Sequence, residues 1–159
     1  MACEARVLPV QVKISKLNGK DLIKALELKY IFPEEECYVS NVINTYEEYK
    51  DKDYIHWIQC KKNTSVYWYT CGMITYGLDI DENKNNCWWI QRLMIIPEYR
   101  RKGIACQAIK IVLNNIPDNL NIYTSITENN IKSQKLFSKM GFIKTNRKWE
   151  NEIIWQYKN

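Results

Sequence analysis

The chain has 159 residues, of which 46% are hydrophobic and 26% charged, an ordinary composition for one globular domain. No stretch approaches the roughly 20 apolar residues of a membrane span, and the start of the chain lacks the apolar run of a signal peptide. We therefore expect a single domain over residues 1–159, located in the cytoplasm and with no membrane partner. Six scattered cysteines without a Cys-x-x-Cys pair, and a single histidine, argue for reduced thiols and against a metal site.

The net charge of +5 raises the question of a nucleic-acid partner. Between Tyr99 and Lys148 there are ten Lys or Arg against two Asp or Glu, whereas Pro33 to Asp53 holds seven carboxylates against two lysines. The basic stretch contains the phosphate-binding pattern described below, so phosphates of a small ligand account for its charge. We expect no nucleic-acid partner.

The first half of the chain predicts strands and helices in alternation. Its predicted elements are a strand from Val10 to Leu17, a helix from Gly19 to Tyr30, a helix from Pro33 to Lys50, and two antiparallel strands, Tyr54–Lys61 and Val66–Ile80, the second of which Gly77 ends or bulges.

Residues 88–96 predict a central strand, because both of its alternating faces are apolar. The alternation places Trp89, Leu93 and Ile95 on one face and Trp88, Ile90, Met94 and Ile96 on the other. Pro97 ends the strand, since proline has no N–H for the ladder. A helix follows, with Ile104, Ala108, Ile111 and Val112 facing inward.

The junction before this helix is unusual. Arg100, Arg101 and Lys102 crowd a helix N-terminus, where cations are disfavoured by about 0.3–1 kcal/mol each, and Gly103 in the first turn costs roughly 1 kcal/mol relative to alanine. A phosphate bound at the helix start explains both features. A solvated basic turn that happens to contain a glycine is the alternative.

The second half predicts another strand–helix unit and a closing hairpin. A strand from Leu120 to Ile126 precedes a helix capped by Asn130, with Gly141 just past its end, and Phe142–Lys148 pairs with Glu152–Tyr157. The inward face of the helix is predicted to hold Ile131, Ser133, Leu136, Phe137 and Met140.

Two segments carry a family resemblance. Arg100-x-x-Gly103-x-Ala105, straight after the central strand, resembles the acetyl-CoA motif of the general N-acetyltransferase (GNAT) superfamily. Asn130-x-x-Ser133-x-x-Leu136-Phe137-x-x-Met140-Gly141-Phe142 is similar to the family's second motif. The sequence of residues 89–95, Trp-Ile-Gln-Arg-Leu-Met-Ile, resembles that of the bacterial spermine/spermidine (diamine) acetyltransferase branch.

The resemblance implies an α/β fold with a mixed, mostly antiparallel twisted sheet flanked by helices. In that fold two parallel central strands splay apart, and the pantetheine arm of acetyl-CoA, the co-substrate, enters the gap. The implied cofactor-binding residues are Leu93, Met94, Ile95, Arg100, Arg101, Lys102, Gly103, Ile104, Ala105, Cys106, Asn130 and Ser133.

Catalytic residues are not identified, because the family's tyrosine general acid is matched here by Phe137, and its base position by Trp89. Neither side chain can transfer a proton. Three explanations stay open: another hydroxyl substitutes (Tyr123, Ser133 or Ser138), the thiolate leaves unaided, or the domain only binds the cofactor.

Several other residues are weaker candidates for the acceptor site. Carboxylates that could line its mouth are Asp79, Asp81, Glu82 and Glu128, although a role in turns or capping is favoured for each. Tyr30, Tyr46 or Tyr76 could face a cationic ligand, and His56 is expected to be a buried residue of the sheet.

The leading hypothesis is an acetyl-CoA-dependent N-acetyltransferase acting on a primary amine of a small cationic acceptor, a polyamine or an amine-bearing antibiotic. The alternative is a non-catalytic acyl-CoA-binding sensor on the same fold. Assembly as a homodimer stays open.

Overall fold

The computed structural model of the protein describes residues 10–16, 42–52 and 54–158. The predicted helix from Gly19 to Tyr30 and the first part of the predicted Pro33–Lys50 helix lie outside these ranges. The elements in chain order are β1 (Val10–Lys16), α1 (Val42–Tyr49), β2 (Ile55–Lys62), β3 (Tyr69–Ile80), β4 (Asn86–Ile95), one turn of 3₁₀ helix (Pro97–Tyr99), α2 (Ile104–Asn115), β5 (Asn121–Thr127), α3 (Ile131–Lys139), β6 (Phe142–Trp149) and β7 (Glu152–Tyr157).

The seven strands form one sheet in the order β1-β2-β3-β4-β5-β7-β6. All neighbours are antiparallel except the central pair β4 and β5, which are parallel. The main core fills the face covered by α2 and α3, and a smaller cluster around Tyr49 of α1 covers part of the other face. This arrangement confirms the predicted α/β class and the mixed, mostly antiparallel sheet. Within the described ranges, no helix has the length and apolar character that crossing a membrane requires.

The parallel pair separates partway along its length. Pairing between β4 and β5 runs only from Cys87–Asn121 to Ile90–Thr124, although β4 continues to Ile95 and β5 to Thr127. At the last pair, the Thr124 hydroxyl donates a hydrogen bond to the Ile90 carbonyl at 2.9 Å. The predicted splay of the two central strands is therefore present.

A bulge in β4 coincides with this separation. Thr75 of β3 pairs with Arg92 and Tyr76 pairs with Ile90, which leaves Gln91 as an extra residue in β4. An extra residue bends its strand and interrupts the ladder. The bend turns β4 away from β5 at the residue where their pairing ends.

The bulge also exchanges the two faces of β4. After it, Leu93 and Ile95 join Trp88 and Ile90 in the main core, whereas Met94 packs on the α1 face. The predicted partition of this strand is therefore wrong beyond Gln91. A strict period of two fails wherever a residue is inserted.

Three smaller predictions need correction. In α2, Ile109 is buried and Ile111 only half-buried, so the inward stripe is rotated from the predicted one. Ile131 is 52% exposed, because it is the first residue of α3 and the first turn of this helix lies outside the core. Gly77 neither ends nor bulges β3, since it pairs with Trp89 inside the strand, and a Cβ there would lie 2.1 Å from Cε1 of Tyr54.

Candidate active site

The N-terminus of α2 is open and uncapped. Gly103 is its N-cap residue with φ 73°, no side chain in the part of the chain that the structure describes caps the helix, and no acidic residue lies in its first turn. The backbone N–H groups at a helix start have no partner within the helix, so those of Ile104, Ala105 and Cys106 remain as donors. A Cβ at Gly103 would meet no atom of residues 10–16, 42–52 or 54–158 within 4 Å, which leaves room beside these residues for a ligand to approach the backbone.

The physical reason for Gly103 differs from the predicted one. It precedes the helix in a left-handed conformation, which glycine adopts without the steric cost that a Cβ brings. The prediction that it weakens the first turn is wrong. The glycine is required by the backbone and also keeps the helix end accessible.

The three cations before Gly103 do not act alike. Nε of Arg100 donates to the Ile95 carbonyl at 2.9 Å, and Nζ of Lys102 donates to the Glu98 carbonyl at 3.0 Å. The Arg100 contact ties the turn to the end of β4, the Lys102 contact ties it to the Pro97–Tyr99 3₁₀ turn, and Arg101 is exposed with φ 58°. All three still place positive charge beside the helix start.

A cleft of about 50 Å³ lies where β4 and β5 part, bounded on its third side by α3. Of the predicted cofactor residues, Leu93, Asn130 and Ser133 line it, and so does Phe137. The Asn130 side chain is engaged as the N-cap of α3, where it accepts from the Ser133 N–H at 3.3 Å. The hydroxyl of Thr127 is buried in this cleft with no hydrogen-bond partner among the described residues.

The remaining predicted cofactor residues lie elsewhere. Met94 and Ile95 are buried in core clusters on opposite faces of the sheet, so only their backbone groups could reach a ligand. Residues 100–106 surround the start of α2 and do not line the cleft. The predicted set therefore forms two separate patches, the helix start and the cleft.

A groove of about 540 Å³ lies on the opposite face of the sheet from α2 and α3. Its floor is formed by three neighbouring strands, through Trp89 and Gln91 of β4, Tyr123 of β5 and Ile154 of β7. Its walls come from the end of α1, the turn between β3 and β4, and the β6–β7 hairpin, where Trp149 is 64% exposed. The groove thus combines an aromatic floor with polar walls.

Carboxylates outnumber cations in this groove. Its acidic residues are Glu48, Asp79, Asp81, Glu82, Glu150 and Glu152, and its basic residues are Lys52, Arg92 and Arg147. Arg147 pairs with Glu82 at 2.7 Å and Arg92 with Glu48 at 3.7 Å. The pairing leaves four carboxylates and one lysine, so the groove is acidic.

Hydrogen bonds and burial fix the charge state of three groups here. Backbone N–H groups of Asn85 and Asn83 donate hydrogen bonds to the Asp81 carboxylate and lower its pKa. The same two hydrogen bonds give Asp81 a structural role in the β3–β4 turn. The hydrogen bond to Glu82 raises the pKa of Arg147. Burial is the main cause that raises the pKa of Tyr49, and a hydrogen bond to Glu48 raises it further, so the phenol stays protonated.

Several predicted acceptor residues lie outside the groove. Glu128 is exposed beside Lys148 at 3.4 Å, and Tyr46 and Tyr76 pack against the core clusters. His56 is 8% exposed and stacks on Tyr76 at 4.5 Å. Tyr30 lies outside the described residues.

The three hydroxyls considered as substitutes for the acid missing at Phe137 lie in different places. Phe137 is 4% exposed and meets Phe142 edge to face, at the inner wall of the cleft. Tyr123 lines the groove beneath the Arg147 guanidinium, 4.9 Å from its ring centroid, whereas Ser133 lines the cleft. Ser138 is exposed and lines neither cavity.

The cleft and the groove share a wall that the sequence did not reveal. Four residues line both cavities, namely Gln91, Arg92, Ser125 and Glu152. Ser125 and Glu152 come from strands that the sequence predicts correctly, but nothing local indicates that β5 pairs with β7. The only available local signal is that polar Ser125 is flanked along the strand by buried Thr124 and Ile126.

Comparisons with known proteins agree with this architecture. Residues 20–142 match the model of the acetyltransferase (GNAT) family. The spermine/spermidine N(1)-acetyltransferase of Bacillus subtilis (strain 168) is 35% identical over 77 residues, which are 45% of this chain and 51% of that protein. The chain therefore spans about half the length of this curated relative.

Solved structures share the fold at lower identity. A domain from Methanocaldococcus jannaschii superimposes with a TM-score of 0.71 and 21% identity, covering 93% of this chain and 98% of that one. Spermidine N-acetyltransferase from Vibrio cholerae, solved with CoA and spermine, gives a TM-score of 0.61 and 17% identity, covering 92% and 93%. Because the family model matches well over half of the chain, this protein belongs to the acetyltransferase (GNAT) family.

Proposed function

We propose that this protein is an acetyl-CoA-dependent N-acetyltransferase whose acceptor is a primary amine of a small cationic molecule, a polyamine or an amine-bearing antibiotic. The observation that carries the proposal is the shared wall between the splayed-strand cleft and the acidic groove. Two reactants that approach from opposite faces of the sheet meet at such a wall.

The open N-terminus of α2 supports binding of acetyl-CoA through its phosphates. Uncapped N–H groups, a glycine with free space beside it and three flanking cations fit an anion. Gly103, Ile104, Ala105 and Cys106 would contribute the backbone, and Arg101, with its exposed side chain, would add charge.

The cleft supports binding of the pantetheine arm. Among the described residues, β4 has no strand partner on its β5 side from Gln91 onward, so backbone groups of Leu93, Met94 and Ile95 could bind the amides of the arm. Asn130 and Ser133 line the same cleft from α3. When bound, acetyl-CoA supplies an acetyl group activated as a thioester.

The acidic, aromatic groove supports a cationic acceptor. Carboxylates raise the local concentration of cations, and aromatic faces such as Trp89 and Trp149 can pack against alkylammonium chains. The names of the Bacillus subtilis and Vibrio cholerae proteins, both acetyltransferases of polyamines, point in the same direction.

Phe137 favours the second candidate, an acyl-CoA-binding sensor, because it cannot serve as the general acid. Mixing the protein with acetyl-CoA and a panel of amines and measuring free thiol separates the two functions. A transferase releases thiol only when an amine is present and yields the acetylated amine in equal amount. A sensor binds acetyl-CoA by calorimetry and releases none, which would contradict the proposal.

A further inference from the structure

The proton transfers of this reaction need a group that the family motif does not provide, since Phe137 stands at the acid position. On the proposed function, the acceptor nitrogen and the thioester meet where the groove joins the cleft. Gln91, Arg92, Ser125 and Glu152 are the residues that line both cavities. Among the described residues, a protein group that exchanges a proton directly with both reactants belongs to this set.

The chemistry of the four side chains leaves one candidate. An amide does not accept a proton at neutral pH, a guanidinium stays protonated, and a serine hydroxyl does not ionise. Glu152 is the single carboxyl among them. We propose that Glu152 carries a proton from the acceptor nitrogen to the departing sulfur, and that Ser125 positions its carboxylate.

The strand pairing brings these two side chains together. Ser125 of β5 lies opposite Ile154 of β7, and Thr127 lies opposite Glu152, so Ser125 and Glu152 are diagonal neighbours. The Ser125 hydroxyl donates a hydrogen bond to Oε2 of Glu152, and both residues are half-buried. Because each residue is on a paired strand, the carboxylate is held in place before any ligand binds.

The proton balance closes with this single carboxyl. The acceptor ammonium first loses one proton to solvent, because an amine with a pKa near 10.4 is neutral in only about one molecule in two or three thousand at pH 7. The neutral nitrogen forms a C–N bond to the acetyl carbon and becomes acidic, so Glu152 accepts its second proton. As the C–S bond breaks, the sulfur keeps the bonding electron pair and takes that proton from Glu152. The carboxylate is restored, and one proton has gone to solvent.

Glu152→Gln tests the carboxylate directly, because glutamine keeps the size and can still accept the Ser125 hydrogen bond. Turnover with spermidine should fall by about 10²–10⁴-fold, the range of general acid–base catalysis, while affinity for acetyl-CoA stays unchanged. Glu152→Asp keeps a carboxylate and should retain more turnover than Glu152→Gln at equal thermal stability. Glu128→Gln, outside both cavities, is the matched control and should behave as wild type.

Phe137→Tyr provides a second variant. In the Glu152→Gln background, Phe137→Tyr should raise turnover by at least about tenfold, since the added tyrosine at the cleft wall supplies the lost acid. Ser125→Ala should lower kcat without changing KM, and Ser125→Thr, which keeps the hydroxyl, should restore it. A purely structural role would not produce this split.

Calorimetry of spermidine binding without acetyl-CoA gives a readout that does not depend on turnover. A carboxylate beside the nitrogen predicts about tenfold weaker binding in Glu152→Gln, the worth of a charged hydrogen bond. Unchanged spermidine affinity, or turnover within threefold of wild type, overturns the assignment of Glu152. A wild type that binds acetyl-CoA but releases no thiol overturns the proposed transferase activity instead, and the binding measurement still decides whether Glu152 contacts the amine.

Discussion

The two regions proposed to bind ligands, one for the cofactor and one for the acceptor, are built in different ways. The cofactor region relies on backbone geometry, namely an uncapped helix start at Gly103 and two strands that part after Ile90. The acceptor groove relies on side chains brought together from α1, the β3–β4 turn, three strands and the β6–β7 hairpin. The cofactor region is encoded by short local motifs, whereas the acceptor groove forms only after the sheet has assembled.

This difference predicts which changes should affect which ligand. A substitution at the backbone-built region should abolish cofactor binding and spare the acceptor. Substitutions of the exposed carboxylates of the groove, unlike those of half-buried Glu152, should reduce acceptor affinity in small steps, because no single exposed charge dominates.

Gly103→Val should have the largest effect. A branched side chain would fill the space beside the helix end, so we expect at least about 100-fold weaker binding of acetyl-CoA. The left-handed backbone adds a stability cost of about 1–2 kcal/mol, which thermal unfolding would detect as a folded protein with a lower midpoint. Undiminished acetyl-CoA affinity by calorimetry would contradict the assignment of the cradle, and spermidine affinity serves as the internal control.

Neutralising groove carboxylates should have an intermediate effect. We expect Asp79→Asn and Glu150→Gln each to raise the KM for spermidine about two- to fivefold, consistent with the modest worth of exposed charges. Added salt should raise the wild-type KM as well, because exposed charges are screened over about 8–10 Å. A KM indifferent to both changes would show that these carboxylates merely solvate the surface.

The stability effect of Asp81→Asn should be the smallest effect of the series, and it comes in addition to the rise in KM expected for a groove carboxylate. The folded-state pKa of Asp81 is lowered by backbone N–H groups of the β3–β4 turn. A lowered pKa means that the carboxylate stabilises the fold above its unfolded value of 3.8, and that this contribution is lost as the pH falls through the folded pKa. Thermal midpoints of wild type and variant should therefore differ slightly at pH 7 and converge in acid; a difference that persists in acid would have another cause.

The same contrast explains what the sequence could predict. Helix and strand periodicity, with Asn130 as a helix cap, predicted the elements, and Gly103 with its flanking cations predicted an anion site at the helix start, because these signals act within a few residues. The other expected cofactor residues were implied by the family resemblance alone. The exchange of faces in β4 could not be predicted from the sequence. A strand that is apolar on both faces keeps the same hydrophobic pattern whether or not an extra residue, here Gln91, is inserted.

The wall shared by the cleft and the groove could not be predicted from the sequence for a different reason. Ser125 and Glu152 are 27 positions apart, and their contact depends on β7 inserting between β5 and β6 in the sheet. A pairing of this kind is a property of the topology, which periodicity does not report. The acidity of the groove was predicted only in outline, because the described part of the acidic Pro33–Asp53 segment contributes just two charged lining residues, Glu48 and Lys52.

The most direct test of the account compares amine acceptors of graded charge under one set of conditions. With saturating acetyl-CoA and low salt, the release of thiol should be fastest with spermine or spermidine, slower with a monoamine, and slowest with an amine that also bears a carboxylate, in the order of kcat/KM. Each thiol released should be matched by one acetylated amine. Equal rates across the series, or thiol release without an acetylated product, would contradict the proposal that an acidic groove delivers cationic amines to the acetyl group.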